Sequence, residues 1–98
     1  MDTDQKFVRL QAMISGRVQG VGFRFFVLEH ANQLGVTGWV RNTWQGEVEV
    51  CAEGVQPAIE ALLAFLRSGP PSSFVEDIRV EWQHYLGEFS RFEIRRTE

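Results

Sequence analysis

An α+β fold, with two helices laid on one face of an antiparallel sheet, is what the residue pattern of this 98-residue chain predicts. Three observations lead there. Apolar residues alternate with polar ones in several short stretches, and they recur at three- and four-residue steps in two longer ones. Glycine or proline marks nearly every change of period. With 44% hydrophobic and 23% charged residues the composition is that of a folded protein, and the length suits one domain, 1–98, of which residues 1–6 read as a flexible lead-in.

Each element has its own justification. Val8, Leu10, Ala12 and Ile14 alternate with Phe7, Arg9, Gln11 and Met13, which predicts a first strand over 7–14. From Phe23 the period changes: Phe23, Phe26, Val27, Ala31 and Leu34 line one face of a helix of about 12 residues, and Gly35 stops it. VTGWV (36–40) reads as a second strand, Asn42 to Gly46 as a turn, and EVEVCAE (47–53) as a third strand. Pro57 suits the first turn of a second helix, whose Ala58, Ile59, Leu62, Phe65 and Leu66 form a broad apolar face before Gly69-Pro70-Pro71 ends it. Alternation returns in VEDIRVEWQHY and RFEIRR, giving a fourth strand around 75–84 and a short fifth around 91–96. The order β-α-β-β-α-β with a short extra C-terminal strand is that of a ferredoxin-like α/β sandwich. Right-handed crossovers make strands one and two run parallel on either side of strand three, so their C-terminal ends share one edge of the sheet. The 16–22 loop is therefore expected beside Asn42.

That loop, within GRVQGVGFRFF (16–26), carries Gly16, Gly20, Gly22 and, in the first helical turn, Arg24. A turn entering a helix leaves several backbone N–H groups without internal partners, and such a group of donors cradles an anion. Glycine permits positive φ and close approach to the main chain. Arginine adds a planar fork of donors that matches phosphate oxygens in pairs, and a cation at a helix N-terminus opposes the dipole unless an anion offsets it. Spacing alone equally allows a plain tight turn followed by a solvated arginine. No Gly-Lys-Ser/Thr follows, so this is not a nucleotide P-loop, and the acidic residue of a dinucleotide fingerprint has no counterpart.

GRVQGVGFRFFVLEHANQLGVTGWVRN, followed by TWQGEVEVCAEG, resembles the acylphosphatase family, whose two signatures are a VQGVxFR loop and a G-W-V-x-N-x-x-x-G-x-V stretch. GPPSSFVEDIRVEW resembles the family's region after the second helix, so nearly the whole chain is covered. The resemblance implies metal-independent hydrolysis of the carboxyl–phosphate bond of acyl phosphates, with no cofactor. It implies that Gln19, Gly20, Val21, Gly22 and Phe23 form the phosphate cradle, that Arg24 clamps the phosphoryl group, and that Asn42 positions the attacking water. The position that varies between Cys and Gly in relatives is Gly22 here.

The expected partners are small-molecule acyl phosphates, with inorganic phosphate or sulfate as competing ligands. A formal charge of −3 and a pI near 5.4 argue against a nucleic-acid binder. Glu47, Glu49 and Glu53 alternate along the third strand, which reads as a solvated face hostile to an RNA backbone. Cys51 is the sole cysteine and reads as a small strand residue; MDTDQK lacks the features of a signal peptide, and no 18-residue apolar stretch exists. A cytoplasmic monomer with no membrane association is expected. His30 and His84 read as surface or boundary residues, and Glu76, Asp77 and Glu81 offer no carboxylate pair for a metal. Ser15 and Thr43 border the expected site as supports, Trp39 reads as packing, and Trp44, in an exposed turn, reads as a residue that could face incoming substrate. A noncatalytic anion- or peptide-binding module of the same fold is the other function class, distinguished by phosphate binding without turnover.

Overall fold

A computed structural model describes residues 5–98. Of the lead-in expected over 1–6, residues 1–4 lie outside the described residues, while the Lys6 carbonyl accepts a 2.9 Å bond from the Gln56 N–H. The elements are β1 (Phe7–Arg17), α1 (Phe23–Leu34), β2 (Thr37–Asn42), β3 (Val48–Val55), α2 (Gln56–Ser68), β4 (Phe74–Gln83) and β5 (Phe92–Ile94). They form one sheet in the order β4-β1-β3-β2-β5, the ferredoxin-like arrangement with β5 added beyond β2. β1 pairs antiparallel with β3 from Phe7↔Val55 to Ile14↔Val48, and β2 with β3 from Thr37↔Glu53 to Asn42↔Val48. β1 and β2 therefore run parallel on either side of β3. The short β5 pairs parallel with β2, so the sheet is antiparallel with one parallel edge.

Both helices cover the same face because alternate strand residues supply it. Leu10, Ala12 and Ile14 of β1, Val40 of β2 and Val48, Val50 and Ala52 of β3 are buried there with Phe23, Val27 and Ala31 of α1 and Ile59, Leu62 and Leu66 of α2. Each large apolar side chain removed from water in this layer contributes about 1.5–3 kcal/mol. Gly35, in the left-handed region at φ 71°, closes α1 as its sequence position predicts.

β1 runs three residues beyond its expected end. It does so by slipping register against β4, where Ser15 pairs with Asp77 but Gly16 pairs with Val75, leaving Glu76 bulged. At Gly16 the backbones approach so closely that an added Cβ would lie 2.2 Å from the Phe74 carbonyl oxygen.

The open face differs from its sequence reading at one residue. Glu53 is 1% exposed, not solvated. The chain between β4 and β5 must pass from one edge of the sheet to the other, and this connection lies over Glu53. The Glu53 carboxylate accepts the Leu86 N–H at 2.7 Å, the Glu88 N–H at 2.9 Å and Arg9 Nη1 at 3.2 Å. Burial opposes its charge, yet the two backbone donors and Arg9 outweigh that and lower its pKa below the usual carboxylate value. The other two glutamates are held in pairs, Glu47 by Arg79 at 3.2 Å and Glu49 by Arg41 at 2.8 Å. Cys51, fully buried on the same face, has a thiol pKa pushed up to about 11 by desolvation.

Candidate active site

Residues 18–22 join β1 to α1, and both ends of this loop are fixed by the core. Val18 and Phe23 are 1% and 2% exposed, and Val21 packs against the same cluster. Between these anchors the chain turns on Gly20 (φ 73°) and Gly22 (φ 80°), the latter serving as the left-handed N-cap of α1. An added Cβ at either would meet nothing within 4 Å, so conformation and not packing demands these glycines. No side chain caps α1 and no acidic residue lies in its first turn. The first helical bond is from the Phe26 N–H to the Gly22 carbonyl at 3.1 Å, which leaves the N–H groups ahead of it free of helical acceptors.

Arg24 sits among them, half-buried, and makes no ion pair among the described residues. Arg9, Arg41, Arg79, Arg91 and Arg95 all do, and the other arginines without one among the described residues, Arg17, Arg67 and Arg96, are exposed. A partly buried guanidinium beside several unused N–H groups is a donor set with no acceptor among the described residues.

Asn42 is the last residue of β2, not the first residue of the turn as its sequence reading has it, and is therefore held on the sheet. Its carbonyl accepts the Glu98 N–H at 3.2 Å, while its Oδ1 is shielded from solvent with no hydrogen-bond partner among the described residues. Such an orphaned acceptor is rare in a folded protein. Thr43 supports the turn that follows: its N–H donates to the Glu47 carbonyl at 2.8 Å, and its Oγ1 accepts the Glu47 N–H at 3.2 Å. Thr43 itself is 5% exposed.

The loop and the end of β2 are brought together by Gln19. Its Nε2 donates at 2.8 Å both to the Thr43 carbonyl and to the Glu47 carbonyl. The side chain expected in the cradle thus points to the β2–β3 turn, leaving only the Gln19 main chain to face an anion. Nothing in the spacing of VQGVGFR signals this; it follows from topology, which puts the turn within reach of a long amide.

The remaining candidates separate from the site. Gly16 serves the approach to β4, and Ser15 Oγ donates to the Asp77 carbonyl at 3.4 Å, so neither belongs to the cradle. The guanidinium groups of Arg41 and Arg95 lie over the Trp39 ring, 4.6 and 5.2 Å from its centroid. His30 stacks on Phe65 at 3.8 Å between centroids. Trp44 is 79% exposed, in the turn next to the site. No group of three or more His, Cys, Asp or Glu among the described residues could hold a metal ion. An open cleft of about 540 Å³, lined by Lys6, Phe7, Trp82, His84 and Tyr85 among others, lies at the opposite end of β1.

The family model described as acylphosphatase matches residues 10–94, which include the loop, Arg24 and Asn42. The chain belongs to the acylphosphatase family. Among curated acylphosphatases it is 46% identical to that of Pelotomaculum thermopropionicum, over 88% of this chain and 94% of the relative. It is 42% identical to that of a Nostoc species, over 93% and 89%. The crystal structure of the Bacillus subtilis acylphosphatase superposes with a TM-score of 0.87 at 39% identity, covering 90% of this chain and 98% of that one. This acylphosphatase fold thus spans nearly the full length of its relatives.

Proposed function

We infer that the chain hydrolyses acyl phosphates without a metal or cofactor: R–CO–O–PO₃²⁻ and water give R–COO⁻ and H₂PO₄⁻. The P–O bond to the carboxyl oxygen breaks and the water oxygen forms the new one. One juxtaposition carries this reading. Among the described residues, a loop rich in donors that lack a protein acceptor is tied through Gln19 to a strand end whose Asn42 Oδ1 lacks a protein donor.

An acyl phosphate fits both needs. Its phosphoryl oxygens would be held by the main-chain N–H groups of Gln19, Gly20, Val21, Gly22 and Phe23 and by the paired donors of Arg24. A water donating to Asn42 Oδ1 would be oriented for in-line attack. The departing carboxylate is stable unprotonated, so the site needs no general acid. Arg24 and the fixed dipoles of the loop stabilise the equatorial oxygens of a loose phosphoryl-transfer transition state. Inorganic phosphate and sulfate, which offer the same oxygens, compete for the cradle. A cytoplasmic monomer is the simplest setting for this chemistry, since a small soluble substrate and one site suffice.

The experiment is steady-state release of phosphate from a generic aromatic acyl phosphate. Arg24→Ala is expected to lower kcat/KM by at least about a hundredfold, and Arg24→Lys to recover little of it, because an ammonium lacks the fork. Asn42→Ala should depress kcat while leaving inhibition by phosphate nearly unchanged. Turnover should survive dialysis against EDTA, and simple alkyl phosphates should be poor substrates because nothing protonates their leaving oxygen. Phosphate binding with no turnover of any acyl phosphate would instead support a noncatalytic anion module.

A further inference from the structure

We propose that Gln19 is a positioning residue, whose side-chain amide fixes the distance between the bound phosphoryl group and the attacking water. The proposal rests on the assignment of the water to Asn42 and of the phosphoryl group to the 18–22 loop.

Those two reactants are held by segments far apart in the chain, one at the entry to α1 and one at the end of β2. β1 and β2 are not neighbours in the sheet, since β3 lies between them, so no ladder bond joins their ends directly; Ile14 and Asn42 are related only through their common partner Val48, and the loop that follows β1 lies beyond that ladder. Among the described residues, the two bonds from Gln19 Nε2 are the only hydrogen bonds joining residues 18–22 to residues 42–47. Both protons of the amide are used at 2.8 Å, one on the carbonyl directly after Asn42 and one across the turn. A two-pronged contact fixes orientation as well as distance. In-line attack requires the water oxygen within about 3–3.5 Å of phosphorus, and a displacement near 1 Å costs on the order of a hundredfold in rate.

The same bonds matter little to the fold. The Thr43 carbonyl also accepts the Gly46 N–H at 3.1 Å, and the Glu47 carbonyl also accepts the Thr43 N–H at 2.8 Å. Removing the amide leaves each carbonyl with a backbone donor, so a variant without it should fold. Gln19→Leu removes both donors. Gln19→Glu keeps the shape but presents oxygens to two carbonyl oxygens, and serves as the second variant.

A double-mutant cycle on kcat distinguishes positioning from general support. Gln19→Leu alone is expected to lower kcat at least about tenfold with the inhibition constant for inorganic phosphate changed less than about twofold. Gln19→Glu should lose at least as much. In an Asn42→Ala background, where no held water remains to be aligned, Gln19→Leu should change kcat by less than about twofold. An equal loss in both backgrounds, an unchanged kcat in the single variants, or a loss of phosphate inhibition in place of kcat would each overturn the proposal. Wild-type turnover by Asn42→Ala alone would overturn the water assignment and this inference with it, a pattern distinct from the other three.

Discussion

Gly16 and Gly20 look alike in GRVQG, yet they answer to different constraints. Gly16 combines φ 125° with backbone contact to β4, and a Cβ there would also lie 2.7 Å from the Glu76 nitrogen. Neither backbone can retreat without breaking the β1–β4 ladder. Gly20 has room for a methyl group but holds φ 73°, where an L-residue costs about 1–2 kcal/mol. The two substitutions should therefore separate stability from activity. Gly16→Ala is expected to destabilise the fold by on the order of 2–4 kcal/mol, with residual activity in proportion to the folded fraction. Gly20→Ala should cost about 1–2 kcal/mol, and should lower kcat/KM more than tenfold as the loop leaves the left-handed conformation and its N–H groups turn aside. Urea denaturation and initial rates on the same preparations check both. Equal stability losses in the two variants would contradict the distinction.

At the scale of elements, the strands and helices were legible because their periods are clean, and glycine or proline stands at most of their ends. The apolar steps from Phe23 to Leu34 match α1, and the alternation from Val8 to Ile14 matches the buried side of β1. What the pattern could not convey is which segment later covers a given face. Glu47, Glu49 and Glu53 carry the same local signal, and only the passage of the chain after β4 across the sheet end buries the last of them. The β1 extension was hidden for a similar reason, since a bulge at Glu76 belongs to the partner strand. Glu53 gives this element-level difference a measurable sign. Its folded pKa is lowered, so its contribution to stability is present above the unfolded carboxylate value of about 4.3 and is lost as pH falls through the lower folded value. The thermal midpoint of the wild type should drop steeply on acidification below about pH 4.3. Glu53→Gln should have a lower midpoint at pH 7 and a flatter descent in acid; parallel curves for the two proteins would show that Glu53 contributes no such dependence.

For the molecule as a whole, the candidate site was legible mainly through topology: β1 and β2 both run antiparallel to β3, which brings the loop and the end of β2 to the same end of the sheet, within reach of the Gln19 bonds. The amide that spans them was not legible, because a glutamine in a loop has no distinguishing period. An anion bound at this junction contacts only the folded state, so inorganic phosphate should raise the thermal midpoint, increasingly with concentration above its dissociation constant. The same additions should shift Arg24→Ala much less, and an equal shift in both proteins would mean that phosphate acts elsewhere or through the solvent. The sheet order has another consequence, for the time course of folding during synthesis. β1 is translated before the other strands of this sheet, and it ends up flanked by β3 and β4, its pairing with β4 linking Arg9 to Gln83. The strand that organises the sheet must therefore wait, unpaired on one side, until residues near 83 have left the ribosome, and non-local pairing of this kind is slow. A nascent chain arrested before β4 emerges should stay sensitive to protease, while one extended past β5 should be protected, so this fold is completed late and largely in one step.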